Sequence, residues 1–440
     1  MRKPYYLFAA LGIFLLNSIH GQETKLSKEE AVKLTLENNF GIVIANNNIK
    51  VAENNKSVLN SGFLPSLSAN GGASYDNNDQ EATFQDGTQR TVNGAETTRY
   101  NASLNLNYTL FDGLGRWYDY KRLKEEYNLS ELQARETIET TMLQLFTVYF
   151  EVARISENIV VLEETFENTQ NRLTRAEYSF EYGQSNKLAI LNAQVDLVND
   201  SINLMNERQT LKNTQRDLNV LLNRELSTDF VVDTTVVFTN AIALEEFLID
   251  GEVNNIRMLQ AEKNIMINDY NLKAGKSVFL PTIGLTGSYG WNEGNFPATN
   301  FLASNTSTGF SAGVNLSWNL FNGGNGITQI KNAKILLDSQ ETLEQQIKQE
   351  IRRDIANAKG NYENRLQVYQ LQEQNVATAT NNYERSNERY KLGQITSVEV
   401  RQAQINLLNA KTSRSLAKYN AKLAELQLLQ LTGQLLNVDL

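Results

Sequence analysis

The stretch Leu104-Asn-Leu-Asn-Tyr-Thr-Leu-Phe111-Asp-Gly113 returns 210 residues later as Val314-Asn-Leu-Ser-Trp-Asn-Leu-Phe321-Asn-Gly323. Both copies alternate. Leu104, Leu106, Tyr108 and Leu110 fall on one face, with Asn105, Asn107 and Thr109 on the other. Val314, Leu316, Trp318 and Leu320 likewise oppose Asn315, Ser317 and Asn319. A period of two is the pattern of a strand with one apolar and one polar face. The same offset of 210 relates Tyr182-Gly183-Gln184 to Leu392-Gly393-Gln394 and Ala193-Gln194 to Ala403-Gln404. Phe63-Leu-Pro65 pairs with Phe279-Leu-Pro281 at an offset of 216, so the difference falls in the polar segment between the anchors. Matches held in register over most of the chain mark an internal duplication.

Each half predicts the same order of elements. A helix comes first, over 27–61 and again over 244–278, and Ser27-Lys-Glu-Glu30 is a capping-box start for the first. Each helix stops at Phe-Leu-Pro, because proline cannot continue the ladder and disfavours the helical conformation before it. Two strands follow. The first of each pair, 66–75 and 282–291, places Leu67, Ala69 and Tyr75, or Ile283, Leu285, Tyr289 and Trp291, on one face. The polar segments 77–99 and 293–307 read as loops.

Then come two very long helices, 115–181 and 325–391, free of proline. Each spans about 100 Å at roughly 1.5 Å per residue. In the first, apolar residues recur in a 4-3 pattern through Ile138, Met142, Leu145, Tyr149, Val152, Ile159, Phe166, Leu173, Ala176 and Phe180. That spacing means coiled-coil packing. Gly183 and Gly393 end these helices, and return helices over 186–223 and 397–432 make each a hairpin. The β-prone segment 230–238 lies between the halves and reads as part of a collar around the mid-helix region. The expected division is a first repeat over 22–230, a linker over 231–243 and a second repeat over 244–440.

Composition narrows the function. The chain has 440 residues and a net charge of −9, which argues against a nucleic-acid partner. Arg2, Lys3 and the apolar run 5–16 read as a signal peptide over 1–21, too short to span a bilayer. There is no cysteine, and the one histidine, His20, lies within that segment. Histidine acid–base chemistry, Ser-His-Asp and Cys-His nucleophiles and the usual zinc ligands are therefore missing. No cofactor, metal site or enzyme activity is expected, and acidic pairs such as Glu163-Glu164 read as solvated helix faces.

Strands of about 9–11 residues can cross a bilayer in a tilted barrel. A lipid-embedded sheet tolerates no free edge, and four strands are too few to close. Three copies would give twelve strands and a lumen. The alternation alone fits a soluble half-buried sheet equally well.

The ordered set of signs is what resembles a known family. The duplication, the two Phe-Leu-Pro junctions, Leu110-Phe-Asp-Gly113, Leu320-Phe-Asn-Gly-Gly324 and Tyr390-Lys-Leu-Gly-Gln-Ile-Thr-Ser-Val398 resemble the TolC-like outer-membrane efflux channels. The resemblance covers essentially all of the chain after residue 21. It implies an α+β membrane protein: a four-stranded share of a trimeric transmembrane β-barrel continued by a long α-helical coiled-coil barrel. It implies an outer-membrane location with the helical part in the periplasm. The function implied is a passive exit duct of a tripartite efflux or type I secretion system. The implied partners are two further copies of the chain, a periplasmic adaptor (membrane fusion) protein, an inner-membrane pump and outer-membrane lipid.

The family's periplasmic gate has a tyrosine before the tip glycine and acidic residues after it. Tyr390 and Glu399 match. Gln402 falls on a second acidic position, and Ile395 stands where a latch arginine can occur. Phe180 and Ala189 hold the comparable places in the first half. Glu399 is also the N3 residue of a capping box, Thr396-Ser-Val-Glu399, and both roles stay open. Gly183, Gln184, Gly393 and Gln394 are the adaptor-contact candidates. Tyr108, Tyr289, Trp291 and Trp318 are the candidates for a membrane aromatic belt, while Trp117 and Tyr118 are compatible with either setting. The competing reading is an exported coiled-coil structural or adaptor protein with a small β-domain.

Overall fold

The structure is a computed structural model and describes residues 24–438; the expected signal segment lies outside the described residues. The first half runs β1 (Thr24–Leu26), α1 (Lys28–Asn38), α2 (Phe40–Asn55), β2 (Ser66–Thr83), β3 (Gln89–Phe111), α3 (Gly115–Glu181) and α4 (Lys187–Leu221). It continues through β4 (Phe230–Val232), α5 (Ala241–Ile249), α6 (Gly251–Asn254), α7 (Ile256–Gly275), β5 (Thr282–Asn295), β6 (Ser304–Ser317), α8 (Asn325–Lys391) and α9 (Ser397–Leu431). Among the described residues no helix is long and apolar enough to cross a membrane.

At one end β2, β3, β5 and β6 form an antiparallel sheet in that order, leaving β2 and β6 as its edges. The two hairpins share one register. Ser66 pairs with Asn107 in the first and Thr282 with Ser317 in the second, and the repeat offsets of 216 and 210 carry one pair onto the other.

The polar segments expected as loops are mostly strand. β2 and β3 pair as far as Thr83 and Gln89, so the first turn is only 84–88. The second loop shrinks to 296–303. Residues 77–98 are polar on both faces, so no alternation announces them. Backbone pairing and contacts such as Tyr75 Oη donating to Glu96 (3.0 Å) hold them instead. β6 in turn stops at Ser317, short of the expected Leu320, because its neighbour β5 begins at Thr282, directly opposite.

The expected first helix of each half is broken. Asn39 ends α1 and caps α2, its Oδ1 accepting from the Gly41 amide at 2.9 Å. Asn255 does the same between α6 and α7, accepting from Arg257 at 2.9 Å. Asparagine suits both positions because its carbonyl oxygen satisfies an orphan donor of the new helix. Each of these asparagines also donates Nδ2 to the end of a return helix. Asn39 reaches Leu221 O at 3.0 Å and Asn255 reaches Leu431 O at 2.7 Å. α2 therefore continues the line of α4, and α7 that of α9. In this way short helices extend beside the full length of α3 and α8.

The core sits at the middle of α3. Met142, Leu145, Phe146, Tyr149, Phe150 and Val152 are buried there against Leu218 of α4, Leu222 just past its end, and Leu426 and Leu429 of α9. The expected line is buried at Ile159 and Ala176, but Phe166 and Leu173 are only half-buried because Thr165, Thr169 and Arg172 take the inward positions there, and Phe180 is exposed near the tip. β1 and β4 pair in parallel over this core. The Tyr149 hydroxyl donates to Leu26 O (2.9 Å) and accepts from the Asp233 amide (3.0 Å). Burial pushes its pKa up to about 12, so it stays a neutral donor.

Candidate functional site: a two-faced sheet and the helical tips

The sheet has two chemically distinct faces. Leu67, Leu104, Leu106, Leu285, Tyr289 and Phe310 lie together on one of them. Val314 and Leu316 continue it and are 69% and 61% exposed in the single chain. Burying such a surface in water would be expected; leaving it open is the mark of an interface or of lipid. The other face carries Asn105, which donates to Ser103 (3.0 Å), and a Ser288–Ser311 hydroxyl pair (2.8 Å). No large apolar side chain interrupts it between Asn101 and Asn107.

Three of the belt candidates, Tyr108, Tyr289 and Trp291, fall on the apolar face, while Trp318 lies past the end of the sheet, its indole donating to Phe279 O at 3.1 Å. Tyr108 is opposite Leu285 toward the helical end, and Trp318 follows β6 at the same end. Tyr289 lies between Leu104 and Phe310, and Trp291 between Ala102 and Thr308, toward the far end. Six residues separate Leu285 from Trp291, about 20 Å along a strand. Trp117 and Tyr118 lie in the first turn of α3, where Tyr118 stacks on Tyr270 of α7.

At the opposite end the hairpins turn at Gly183 and Gly393, with φ of 72° and 71°. The amides of Gln184 and Gln394 close each turn, donating back to Ser179 O (2.7 Å) and Arg389 O (2.8 Å). A Cβ on either glycine would meet nothing, so glycine is required by its backbone conformation alone. The two tips face each other across a groove lined by Ser179, Gln184, Leu188, Tyr390, Gly393 and Val398.

The gate candidates each hold separate partners, although Glu399 and Gln402 lie one turn apart on α9. Tyr390 ends α8 with the Arg175 guanidinium 5.7 Å from its ring, and Arg175 also donates to Lys391 O. Arg175 thus ties the first hairpin to the second. Glu399 forms the capping box: the Thr396 amide donates to its Oε2 (2.7 Å), and its own amide donates to Thr396 Oγ1 (3.3 Å). The Thr396 amide and hydroxyl, both donating to Oε2, hold its carboxyl below the usual range. Gln402 is exposed and donates to Asn406 of its own helix at 2.9 Å. Ile395 lines the groove, and Ala189 accompanies it there.

A buried ionic cluster one to five turns above the tips escaped the sequence reading. Arg401 of α9 forks onto Asp200 of α4, with Nη1–Oδ2 at 2.8 Å and Nη2–Oδ1 at 2.7 Å. Thr169 of α3 donates to the same carboxylate at 2.7 Å, and Gln404 donates to Thr169 at 3.1 Å. Arg172 reaches Asp196 at 2.5 Å. Burial lowers the Arg172 pKa and is partly offset by Asp196. The duplication held a signal for this cluster. Under the offset of 210, Arg172, Asp196, Asp200 and Arg401 face Asn382, Asn406, Ala410 and Leu191, so each of these positions is charged in one copy and uncharged in the other.

The family described as outer membrane efflux protein matches residues 31–224 and 251–434, and the chain belongs to it. It is 24% identical to outer membrane protein TolC of Vibrio cholerae over 351 residues, 78% of this chain and 79% of that protein. Escherichia coli TolC is 21% identical over 376 residues, 81% and 74% of the two chains. Among solved structures, the Campylobacter jejuni CmeC outer membrane channel superposes with a TM-score of 0.77 at 17% identity, over 92% of this chain and 85% of that one. The outer membrane protein VceC of Vibrio cholerae gives 0.74 at 14%, over 92% and 95%. The protein is an efflux channel of the outer membrane.

Proposed function

We propose that three copies of this chain close a twelve-stranded barrel in the outer membrane and continue it as a helical duct through the periplasm. The observation that carries this reading is the sheet itself. Its apolar face is open and its edges β2 and β6 are unpaired, which no lipid-facing sheet tolerates unless neighbours close it. The polar face then lines a water-filled lumen. A second observation agrees: α4 carries exposed Leu188, Leu191, Val195, Val198, Ile202 and Met205 at alternating steps of three and four, a seam awaiting another helix.

In this reading the repeats 22–230 and 244–440, with 231–243 between them, supply two quasi-equivalent sectors per copy. Tyr108, Tyr289, Trp291 and Trp318 contact headgroups. Tyr390, Glu399 and Gln402 surround the periplasmic mouth. The turns at Gly183-Gln184 and Gly393-Gln394 meet a periplasmic adaptor, and an inner-membrane pump supplies the energy of a tripartite efflux or type I secretion assembly. The protein itself carries out no bond-making chemistry.

The test is site-specific photo-crosslinking in cells from positions 184 and 394. Capture of a periplasmic adaptor is expected. Efficient probe incorporation into a trimeric protein with no adaptor captured would overturn the docking assignment.

A further inference from the structure

We infer the residue-by-residue register of the seam between copies, in which β6 of one subunit pairs antiparallel with β2 of the next. The inference rests on the closed barrel proposed above and says how it closes.

The duplication supplies the register. Both hairpins already obey the repeat offsets, since Ser66–Asn107 maps onto Thr282–Ser317. β3–β5 is the remaining kind of junction: the second strand of one repeat against the first strand of the following one. In a ring of repeats the next junction of that kind is β6 against the partner subunit's β2. Equal junctions let every strand keep one tilt and one stagger around the barrel. The β3–β5 pairs can therefore be carried over, β3 forward by 210 and β5 back by 216. Leu104–Tyr289 becomes Val314 opposite the partner subunit's Ala73. The run extends from Thr308 opposite the partner subunit's Asp79 to Asn319 opposite the partner subunit's Ser68.

The side chains brought together agree with it, and Gly71, Tyr75 and Ala312 lie outside the motifs that set the offsets. Within the chain, Leu106 lies over Gly287 and Ala102 over Trp291. The carried-over pairs are Leu316 over the partner subunit's Gly71 and Ala312 over the partner subunit's Tyr75. Large again meets absent, and small again meets aromatic. The apolar faces also coincide, as a sheet with one lipid face requires. A slip of two residues keeps the faces but loses both pairs. It sets Leu316 against the partner subunit's Ala69 or the partner subunit's Ala73.

The early end of β6 has the same explanation. β3 runs on to Phe111 because β5 flanks it through Ile283, whereas β6 stops at Ser317 for want of a strand beside Trp318. In the seam Trp318 lies opposite the partner subunit's Ala69. The alternating Trp318-Asn-Leu320 then becomes strand on assembly.

The natural chain has no cysteine, so paired cysteines give a clean readout. The full-length protein is prepared with Val314→Cys plus Ala73→Cys, and with Asn315→Cys plus Gly72→Cys on the opposite face. Two shifted controls combine Val314→Cys with Gly71→Cys or with Tyr75→Cys. β2 and β6 are opposite edges of one subunit's sheet, so any disulfide is between subunits. The mapped pairs should oxidise nearly completely to covalent multimers. The shifted controls should lag several-fold, since two residues along a strand add about 6.7 Å and exceed disulfide reach. Light scattering in detergent reports the trimer separately. A trimer whose shifted pair oxidises best, or in which no pair oxidises, overturns the register and leaves the trimer standing. Absence of trimers in the cysteine-free protein overturns the closed barrel itself.

Discussion

Asn39 and Asn255 make the same two contacts in the two halves of the chain: each caps the helix that follows it and donates to the last turn of a return helix, at Leu221 and Leu431 respectively. A single amide thus splices two helices end to end. Asn255 is buried and Asn39 half-buried. Asn255→Ala removes the cap and orphans the Leu431 carbonyl, so it should cost about 1–3 kcal/mol. Asn39→Ala should cost less, because water can reach its partners. Thermal melting of the detergent-solubilised protein by circular dichroism checks both. Asn255→Ser, which keeps the cap and loses the donor, should fall between wild type and alanine.

Leu114 holds φ at 69° just before α3, where the matching residue before α8 is Gly324 at 86°. A leucine in the left-handed region costs roughly 1–2 kcal/mol, and its side chain is half-exposed, with little packing to compensate. Leu114→Gly should therefore be neutral to stabilising by up to about 1 kcal/mol, after the greater entropy of unfolded glycine is subtracted. Gly324→Ala should destabilise by about 1 kcal/mol. Midpoints of chemical unfolding in detergent decide the pair, and opposite signs are expected.

How far these features could be read from sequence depends on their period. The long helices, their glycine turns and the capping box at Thr396 follow from local chemistry, and the duplication exposed the order of elements. The breaks at Asn39 and Asn255 did not announce themselves. Asparagine is tolerable within a helix, and only the distant carbonyls of Leu221 and Leu431 make a break worthwhile. The extension of β2 and β3 past Tyr75 and Arg99 was hidden for a different reason. Their sequence is predominantly polar and shows no apolar alternation, so those strands resemble loop even though Ala95 and Thr97 end up buried. The site divides in the same way. Tips and aromatic positions were legible from turn chemistry and the strand period. The Arg401–Asp200 cluster was not, because its members come from three helices and meet only in the folded chain.

Lys422 and Glu425 pin the strand-like segment after β4. They are 2% and 0% exposed and 2.7 Å apart. Lys422 also donates to Val237 O (2.8 Å), and Thr239 Oγ1 donates to Glu425 at 2.7 Å. Lys422→Met leaves a buried carboxylate without its counter-ion and should cost about 3–5 kcal/mol. Adding Glu425→Gln should recover most of that, since the amide oxygen still accepts from Thr239. Limited proteolysis should cut within 233–240 in the single variant and spare the double one.

Arg401 joins α9 to α4 through Asp200, whose side chain is 3% exposed. Arg401→Ala strands that carboxylate and removes the forked tie between the two hairpins of one subunit, leaving Arg175 on Lys391 O to hold them nearer the tips. The tips should then open more readily. Conductance of single channels in planar bilayers should rise, and cells should become more sensitive to a bulky antibiotic. Arg401→Lys keeps the charge but loses the fork onto both carboxylate oxygens, so its effect should be intermediate. Equal conductance in all three proteins would show that the cluster holds only the fold.

Glu399 offers two separable effects. Its carboxyl is held below the usual value by the Thr396 amide and hydroxyl. A depressed value means the cap contributes above the unfolded pKa of about 4.5 and fades as pH falls through the lower folded value. The first turn of α9 should fray in that acid window. Hydrogen exchange, corrected for intrinsic rates, should show the Thr396 and Glu399 amides losing protection together. Glu399→Gln can still accept from the Thr396 amide, so it should keep the cap and lose its pH dependence. The same variant isolates the charge. Three carboxylates around a narrow mouth favour cations, so Glu399→Gln should lower cation preference in reversal-potential measurements at neutral pH. With the cap intact, selectivity equal to wild type would confine Glu399 to holding the turn, and a fall in selectivity would place its charge at the mouth of the duct.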